Sequence, residues 1–114
     1  MIVVDLLLAT ICFGTPQVCH PVLIGKDTPR GSYNTTLRLT DQPGYGGDII
    51  QFYETDNYVY AIHRTWVLNP KQKREQRLSG PVSGRTITGG CINVAPEVYE
   101  NLKNCCINQP ILIK

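Results

Sequence analysis

The chain has 114 residues, enough for one domain with its own core and too few for two. A hydrophobic content of 42% against 18% charged residues excludes a disordered chain. A net charge of only +2, with no aromatics interleaved in a basic stripe, argues against a nucleic-acid surface, and no apolar run reaches membrane-spanning length.

Met1-Ile2-Val3-Val4-Asp5-Leu6-Leu7-Leu8 looks like the start of a signal peptide, but it has no basic flank and no small-x-small cleavage site, and Asp5 interrupts it. It reads as a strand over residues 2–6, and the β-branched residues 9–13 read as a second. Gly14-Thr15-Pro16-Gln17 is a hairpin loop, and residues 18–24 return as a third strand. Residues 25–31 form a loop. Residues 32–39 read as one strand, with Tyr33, Thr35, Leu37 and Leu39 on a common face. A Gly- and Pro-rich loop over 40–48 leads to strands at 49–53 and 58–62, the second of which delivers His63 at its end. Residues 64–87 are polar and irregular, with the basic run Asn69-Pro70-Lys71-Gln72-Lys73-Arg74-Glu75-Gln76-Arg77 at their centre. That run reads as a solvated loop or one helical turn, or as a flap gripping an acidic substrate. A brief strand at 92–94 precedes the one convincing helix, residues 96–104, which has Pro96 at its first turn and Glu97 at the positive end of its dipole. Residues 110–114 close the chain as a short edge strand. Strands about every ten residues give a mostly β fold, a sandwich or partly open barrel, with one helix after Cys91.

The chemistry concentrates in Thr88-Gly89-Gly90-Cys91-Ile92-Asn93-Val94. Two glycines take φ > 0 without steric cost, so their N–H groups can converge beside the sulfur and meet an oxyanion. The plainer reading is a tight turn over a small, buried cysteine. A nucleophilic thiol needs a base. His63, at a strand end, is the better candidate, holding the thiol as an ion pair, with the Arg64 carbonyl orienting the ring. His20, inside an N-terminal strand, reads as structural.

Five cysteines leave at least one thiol free. Cys12 and Cys19 face each other across the hairpin, within reach of a bridge, while the lack of an export signal makes reduced thiols the default. Adjacent Cys105 and Cys106 point to different faces and read as poor partners. No Cys/His set has metal-ligand spacing, and nothing in the sequence calls for a metal or other cofactor.

Taken in order, these pieces resemble the catalytic domain of the L,D-transpeptidases, the YkuD-type cysteine enzymes of bacterial peptidoglycan. The opening strands through Pro21-Val22-Leu23-Ile24-Gly25-Lys26, the element Thr28-Pro29-Arg30-Gly31-Ser32-Tyr33, and Tyr60-Ala61-Ile62-His63 with Thr88-Gly89-Gly90-Cys91-Ile92-Asn93-Val94 are similar to that family's motifs. The resemblance implies Cys91 as nucleophile, His63 as base, the Arg64 carbonyl as its orienting acceptor, and the N–H groups of Gly89, Gly90 and Cys91 as the oxyanion hole. It implies acyl transfer on a peptidoglycan stem peptide, with Tyr60, Asn93, Lys71, Lys73 and Arg74 as expected substrate contacts. Two departures stand out. The family's histidine before Gly-Cys is Gly89 here, and the interval from His63 to Cys91 is longer than usual. With no export signal or wall-anchoring module, the expectation is an enzyme of the periplasm or cell wall, delivered by a secretion system or phage and met in its producer by an immunity protein.

Overall fold

The computed structural model describes residues 1–114 and consists of nine strands and two α-helices. The strands are β1 (Ile2–Asp5), β2 (Thr10–Phe13), β3 (Val18–Pro21), β4 (Gly31–Asn34), β5 (Thr36–Leu39), β6 (Asp48–Glu54), β7 (Val59–Arg64), β8 (Ile92–Val94) and β9 (Pro110–Ile113). The helices are α1 (Arg74–Leu78), flanked by two 3-10 turns, and α2 (Pro96–Cys105). One sheet has five strands in the order β3-β2-β1-β9-β4, and the other has four in the order β5-β6-β7-β8. The mostly β architecture with a single substantial helix after Cys91 is as expected.

The core forms where apolar faces of both sheets meet α2. Ile2, Val4, Ile11, Ile50, Ile62, Ile92, Tyr99, Leu102 and Ile111 are essentially inaccessible to solvent and belong to one cluster. In α2, Val98, Tyr99 and Leu102 turn inward. Their i, i+1, i+4 spacing is one helical stripe.

Three expectations change. The segment read as one strand over 32–39 is two strands in different sheets. Thr35 marks the break: its single hydroxyl proton is shared between the Cys106 and Gln109 carbonyls, 3.1 and 2.9 Å away, so the chain is diverted there. β5 is an edge strand with every residue exposed, Leu37 and Leu39 included. The last segment is no edge strand: β9 lies between β1, parallel to it, and β4, antiparallel to it. Its Ile111 and Ile113 are buried, as befits a central strand. The cysteines are mostly oxidised. Cys12 and Cys19 are paired across the β2–β3 hairpin, and Cys105 is joined to Cys106. The adjacent pair meets because Cys106 leaves helical geometry at the end of α2, with φ −134°. Cys91 is the one free thiol.

Asp48 ties the second sheet to α2. Its carboxylate accepts from Tyr99 at 2.8 Å, Lys103 at 2.6 Å and Arg64 at 3.0 Å. Burial pushes its pKa up, but these hydrogen bonds and the Arg64 charge outweigh burial and hold it below the ordinary value of 3.8. A depressed carboxyl stabilises the fold above the unfolded-state pKa and loses that contribution as pH falls through the folded value. Unfolding free energy should therefore drop as pH falls below about 3.8, and this slope should flatten in Asp48→Asn. At neutral pH, Asp48→Ala leaves Lys103 without its partner and Arg64 with Glu100 alone, and should lower stability by about 3 kcal/mol in a urea titration. A loss under about 0.5 kcal/mol, the scale of an ordinary surface substitution, would show that the network is solvated and incidental.

Candidate active site

The site is set by the parallel pairing of β7 with β8, in which His63 is opposite Asn93. Side chains alternate along a strand, so Val59, Ala61 and His63 face one way. All three line a cleft with Cys91, which lies two residues before Asn93, just ahead of β8. Tyr45, from the loop before β6, covers the cleft and meets the His63 ring edge-on at a centroid separation of 4.8 Å. Trp66, Arg74, Thr88 and Gly89 complete its rim.

His63 is 3% exposed, and its Nδ1 lies 2.7 Å from the Arg64 carbonyl. A carbonyl only accepts, so Nδ1 carries the proton and Nε2 carries the lone pair of the neutral ring. The Arg64 backbone is held in turn by its own side chain. The guanidinium donates to the Tyr45 carbonyl at 3.1 Å, to Asp48 at 3.0 Å and to Glu100 at 2.6 Å, and it stacks on Tyr99.

The Nε2 lone pair points at Asn93 rather than at Cys91. Asn93 Oδ1 accepts from the Trp66 N–H at 3.2 Å and from Arg74 Nη1 at 3.0 Å, so the amide nitrogen faces His63 Nε2 at 3.3 Å. Asn93 is fully buried, which corrects its expected role: it positions the histidine and cannot touch substrate. No hydrogen bond joins His63 to the Cys91 sulfur. Sγ instead lies 3.6 Å from the Val59 carbonyl and 3.8 Å from the Tyr58 hydroxyl.

The electrostatics also correct the expected thiolate–imidazolium pair. Burial drives the His63 pKa down to about 4, the hydrogen bond to Arg64 opposes this in part, and the Arg74 charge adds to the fall. Burial pushes the Cys91 thiol up, against contributions from the Ala61 N–H, Tyr58 and Arg74. Both groups are neutral at pH 7 in the resting site.

The glycine loop is held from two sides. Thr88 Oγ1 donates to the Cys91 carbonyl at 2.6 Å and accepts the Gly90 N–H at 3.1 Å. Thr28, from the Thr-Pro element, accepts the Gly25 N–H at 2.9 Å and donates to the Gly90 carbonyl at 3.0 Å. Gly90 has φ +127°, and a Cβ there would strike the Tyr60 ring at 2.7 Å. Glycine is required at that position. Because the Gly90 N–H is already bonded, the expected oxyanion donors reduce to Gly89 and Cys91, whose N–H groups make no such bond. Gly89 itself has ordinary backbone geometry, and a Cβ there would meet only the Tyr58 hydroxyl, at 3.2 Å.

The remaining expected residues divide. Tyr60 packs on Gly90, stacks on Tyr53 and meets Tyr58 at a tilt, so it braces the loop. Lys71 and Lys73 are exposed and do not line the Cys91 cleft, whereas Arg74, one residue on, turns inward over Trp66. The difference arises at Lys73, whose left-handed backbone (φ 51°) ends the 3-10 turn and starts α1. Sequence reasoning missed Tyr45, Tyr58, Trp66 and Thr88. Only Thr88 carried a signal, as a hydroxyl two residues before a glycine N–H.

No protein-family model matches the chain, and no curated protein matches it. Solved structures do. The crystal structure of L,D-transpeptidase 3 from Mycobacterium tuberculosis aligns with a TM-score of 0.65 at 14% identity, over 99% of this chain and 60% of that one. L,D-transpeptidase 1 from the same organism aligns with a TM-score of 0.58 at 15% identity, over 98% of this chain and 57% of its own length. The chain thus spans about 60% of the length of these structures, and it has the fold of the L,D-transpeptidases.

Proposed function

We propose that the chain is a cysteine acyltransferase of the L,D-transpeptidase type, acting on bacterial peptidoglycan stem peptides. The observation that carries this reading is a free thiol and a histidine on one cleft wall, with the ring fixed through Nδ1 to the carbonyl of the next residue. That tautomer leaves Nε2 as the atom able to take a proton.

In the proposed reaction, Sγ of Cys91 attacks the carbonyl carbon of the third, diamino-acid residue of the stem. The thiol proton passes to His63 Nε2, which gives up its long contact with Asn93. The tetrahedral oxyanion takes hydrogen bonds from the Gly89 and Cys91 N–H groups. The intermediate collapses to a thioester, and the proton moves from Nε2 to the departing amine of the terminal D-alanine. An amine of a second stem, a free D-amino acid or water then attacks the thioester and restores the thiol. These three acceptors give cross-linking, exchange or L,D-carboxypeptidase trimming.

Arg74 is the cation placed to hold a substrate carboxylate, since its guanidinium is already fixed by Gln72, Asn93 and Trp66. Action outside the cytoplasm fits the two disulfides, which persist in oxidising compartments. Delivery by a secretion machine or phage, with an immunity protein in the producer, remains the proposed route. Tight binding by the product of a neighbouring gene would support it, and a mature form cut from a longer precursor would end it.

A second reading has one observation in its favour. With no Sγ–Nε2 hydrogen bond, the same fold could serve as a peptidoglycan-binding module without turnover. A carbapenem separates the two: the enzyme gains a covalent adduct at Cys91 that depends on His63, and the binder gains none.

Incubation with purified stem tetrapeptide should release D-alanine, detected by mass. Cys91→Ala should abolish this release while the melting temperature holds, because Sγ makes only two long polar contacts, at 3.6 and 3.8 Å. Release persisting in that variant would end the proposal. His63→Ala should slow acylation at least about a hundredfold, the scale of a positioned acid–base group. In the wild type, the acid limb of kcat/KM should fall near pH 4, because His63 stays unprotonated and able to act as a base down to that value. A limb near 6.5, the histidine's unshifted value, would mean that burial does not depress the His63 ring in the working enzyme. Arg74→Ala should raise KM about tenfold or more with a smaller change in kcat, the loss of one charged hydrogen-bonding partner. An unchanged KM would place the carboxylate elsewhere.

A further inference from the structure

Tyr58 stands just before β7 and reaches the reactive sulfur. Its hydroxyl is 3.8 Å from Cys91 Sγ. The direction of that contact follows from the other neighbour of the thiol. Sγ lies 3.6 Å from the Val59 carbonyl, which can only accept, so the single S–H is directed there. The tyrosine O–H is therefore the donor and the sulfur the acceptor.

The same hydroxyl explains Gly89. That residue has ordinary backbone geometry, so no conformational demand calls for glycine there. What a side chain would meet is Tyr58 Oη, 3.2 Å from a Cβ built at Gly89, with nothing else in range. Where the resembled family has histidine, this chain has glycine, with Tyr58 from just before β7 in the adjoining space. The Tyr58 ring is braced by Tyr60 at a centroid separation of 4.5 Å, and Tyr60 is stacked on Tyr53 at 5.7 Å. No histidine bonds to the sulfur, and the His63 lone pair is already engaged by Asn93.

We propose that Tyr58 is a catalytic residue that donates a hydrogen bond to the Cys91 thiolate and stabilises it as it forms. The thiol proton leaves to His63 Nε2, and Tyr58 keeps its own proton throughout. Burial, and after it the neighbouring Cys91, push the Tyr58 hydroxyl well above its ordinary pKa, so it remains a donor across the working range. A hydrogen bond to an ionised acceptor is stronger than one to a neutral one, so the contact tightens as the thiolate develops. The inference rests on Cys91 being the nucleophile, and its test does not need peptidoglycan.

The measurement is the rate of Cys91 alkylation by iodoacetamide against pH, with melting temperature, for the full chain and its variants. Cys91 is the only free thiol, so the adduct reports this site alone. In Tyr58→Phe the midpoint of the profile should move to higher pH, and alkylation below the midpoint should slow about three- to tenfold, the range of one hydrogen bond to a charged group. Gly89→Ala, which presses on the hydroxyl without removing it, should move the midpoint the same way and supplies the test should Tyr58→Phe not fold. Gly89→His should lower the melting temperature in the wild-type background and lower it less beside Tyr58→Ala, because the two side chains compete for one space. An unmoved midpoint in a folded Tyr58→Phe, or in Gly89→Ala if the former does not fold, overturns the proposal. So do strictly additive effects of Gly89→His and Tyr58→Ala. A shifted midpoint in a chain that never releases D-alanine would leave the Tyr58 contact standing and remove the proposed substrate instead.

Discussion

Asn93 is the residue on which the site depends. Its backbone N–H and carbonyl both pair with Leu23 at 2.9 Å, bridging the second sheet to the segment that leaves the first. Its side chain takes the Trp66 N–H and the Arg74 guanidinium on one end and offers an N–H to His63 on the other. A fully buried amide satisfied on both ends is costly to disturb, because each lost partner leaves a polar group without water. One residue therefore ties three things together: its side chain holds the histidine lone pair and the inward turn of Arg74, and its backbone holds the junction of the sheets. The parallel register reinforces this, since a slip of one residue between β7 and β8 would turn Cys91 and Asn93 to the opposite face.

The resting site holds its reactants uncharged, and burial is the cause for both. A thiol raised by desolvation and an imidazole lowered by it do not exchange a proton unaided. In the proposed reaction a substrate carbonyl would change the balance, because the charge leaving the sulfur would appear on an oxygen facing the Gly89 and Cys91 N–H groups. In this arrangement Arg64 acts at a distance. Its side chain bridges Tyr45, Asp48 and Glu100, and its backbone carbonyl sets the histidine tautomer. The ion-pair network and the acid–base geometry are two ends of one residue.

Much of this was legible in the residues, and the exceptions have physical reasons. The helix after Cys91 announced itself through Pro96, Glu97 and the Val98–Leu102 stripe, all local signals. The histidine at a strand end and the acceptor beside it followed from order along the chain. The placement of β9 was not legible, because a four-residue apolar strand reads alike at an edge and at a centre, and only its partners distinguish them. The split at Thr35 was hidden because a β-branched residue continues a strand pattern even where its hydroxyl diverts the chain. Lys71, Lys73 and Arg74 looked equivalent as charges, and a single left-handed residue sorted them. Tyr58 carried no pattern at all: its importance comes from the absence of a side chain at Gly89, far along the sequence.

The position of β9 also bears on how the fold is reached. Ile2 pairs with Ile111 and Tyr33 with Ile111, so the first and fourth strands are held together only through the ninth. During synthesis the β2–β3 hairpin, with its cross-strand disulfide, can form from neighbouring residues alone. The five-stranded sheet cannot close until the segment Pro110–Ile113 has left the ribosome, and until then β1 and β4 each present an open edge. Until β9 is made, the nascent chain carries the unpaired edges of β1 and β4, and that interval exposes it to aggregation.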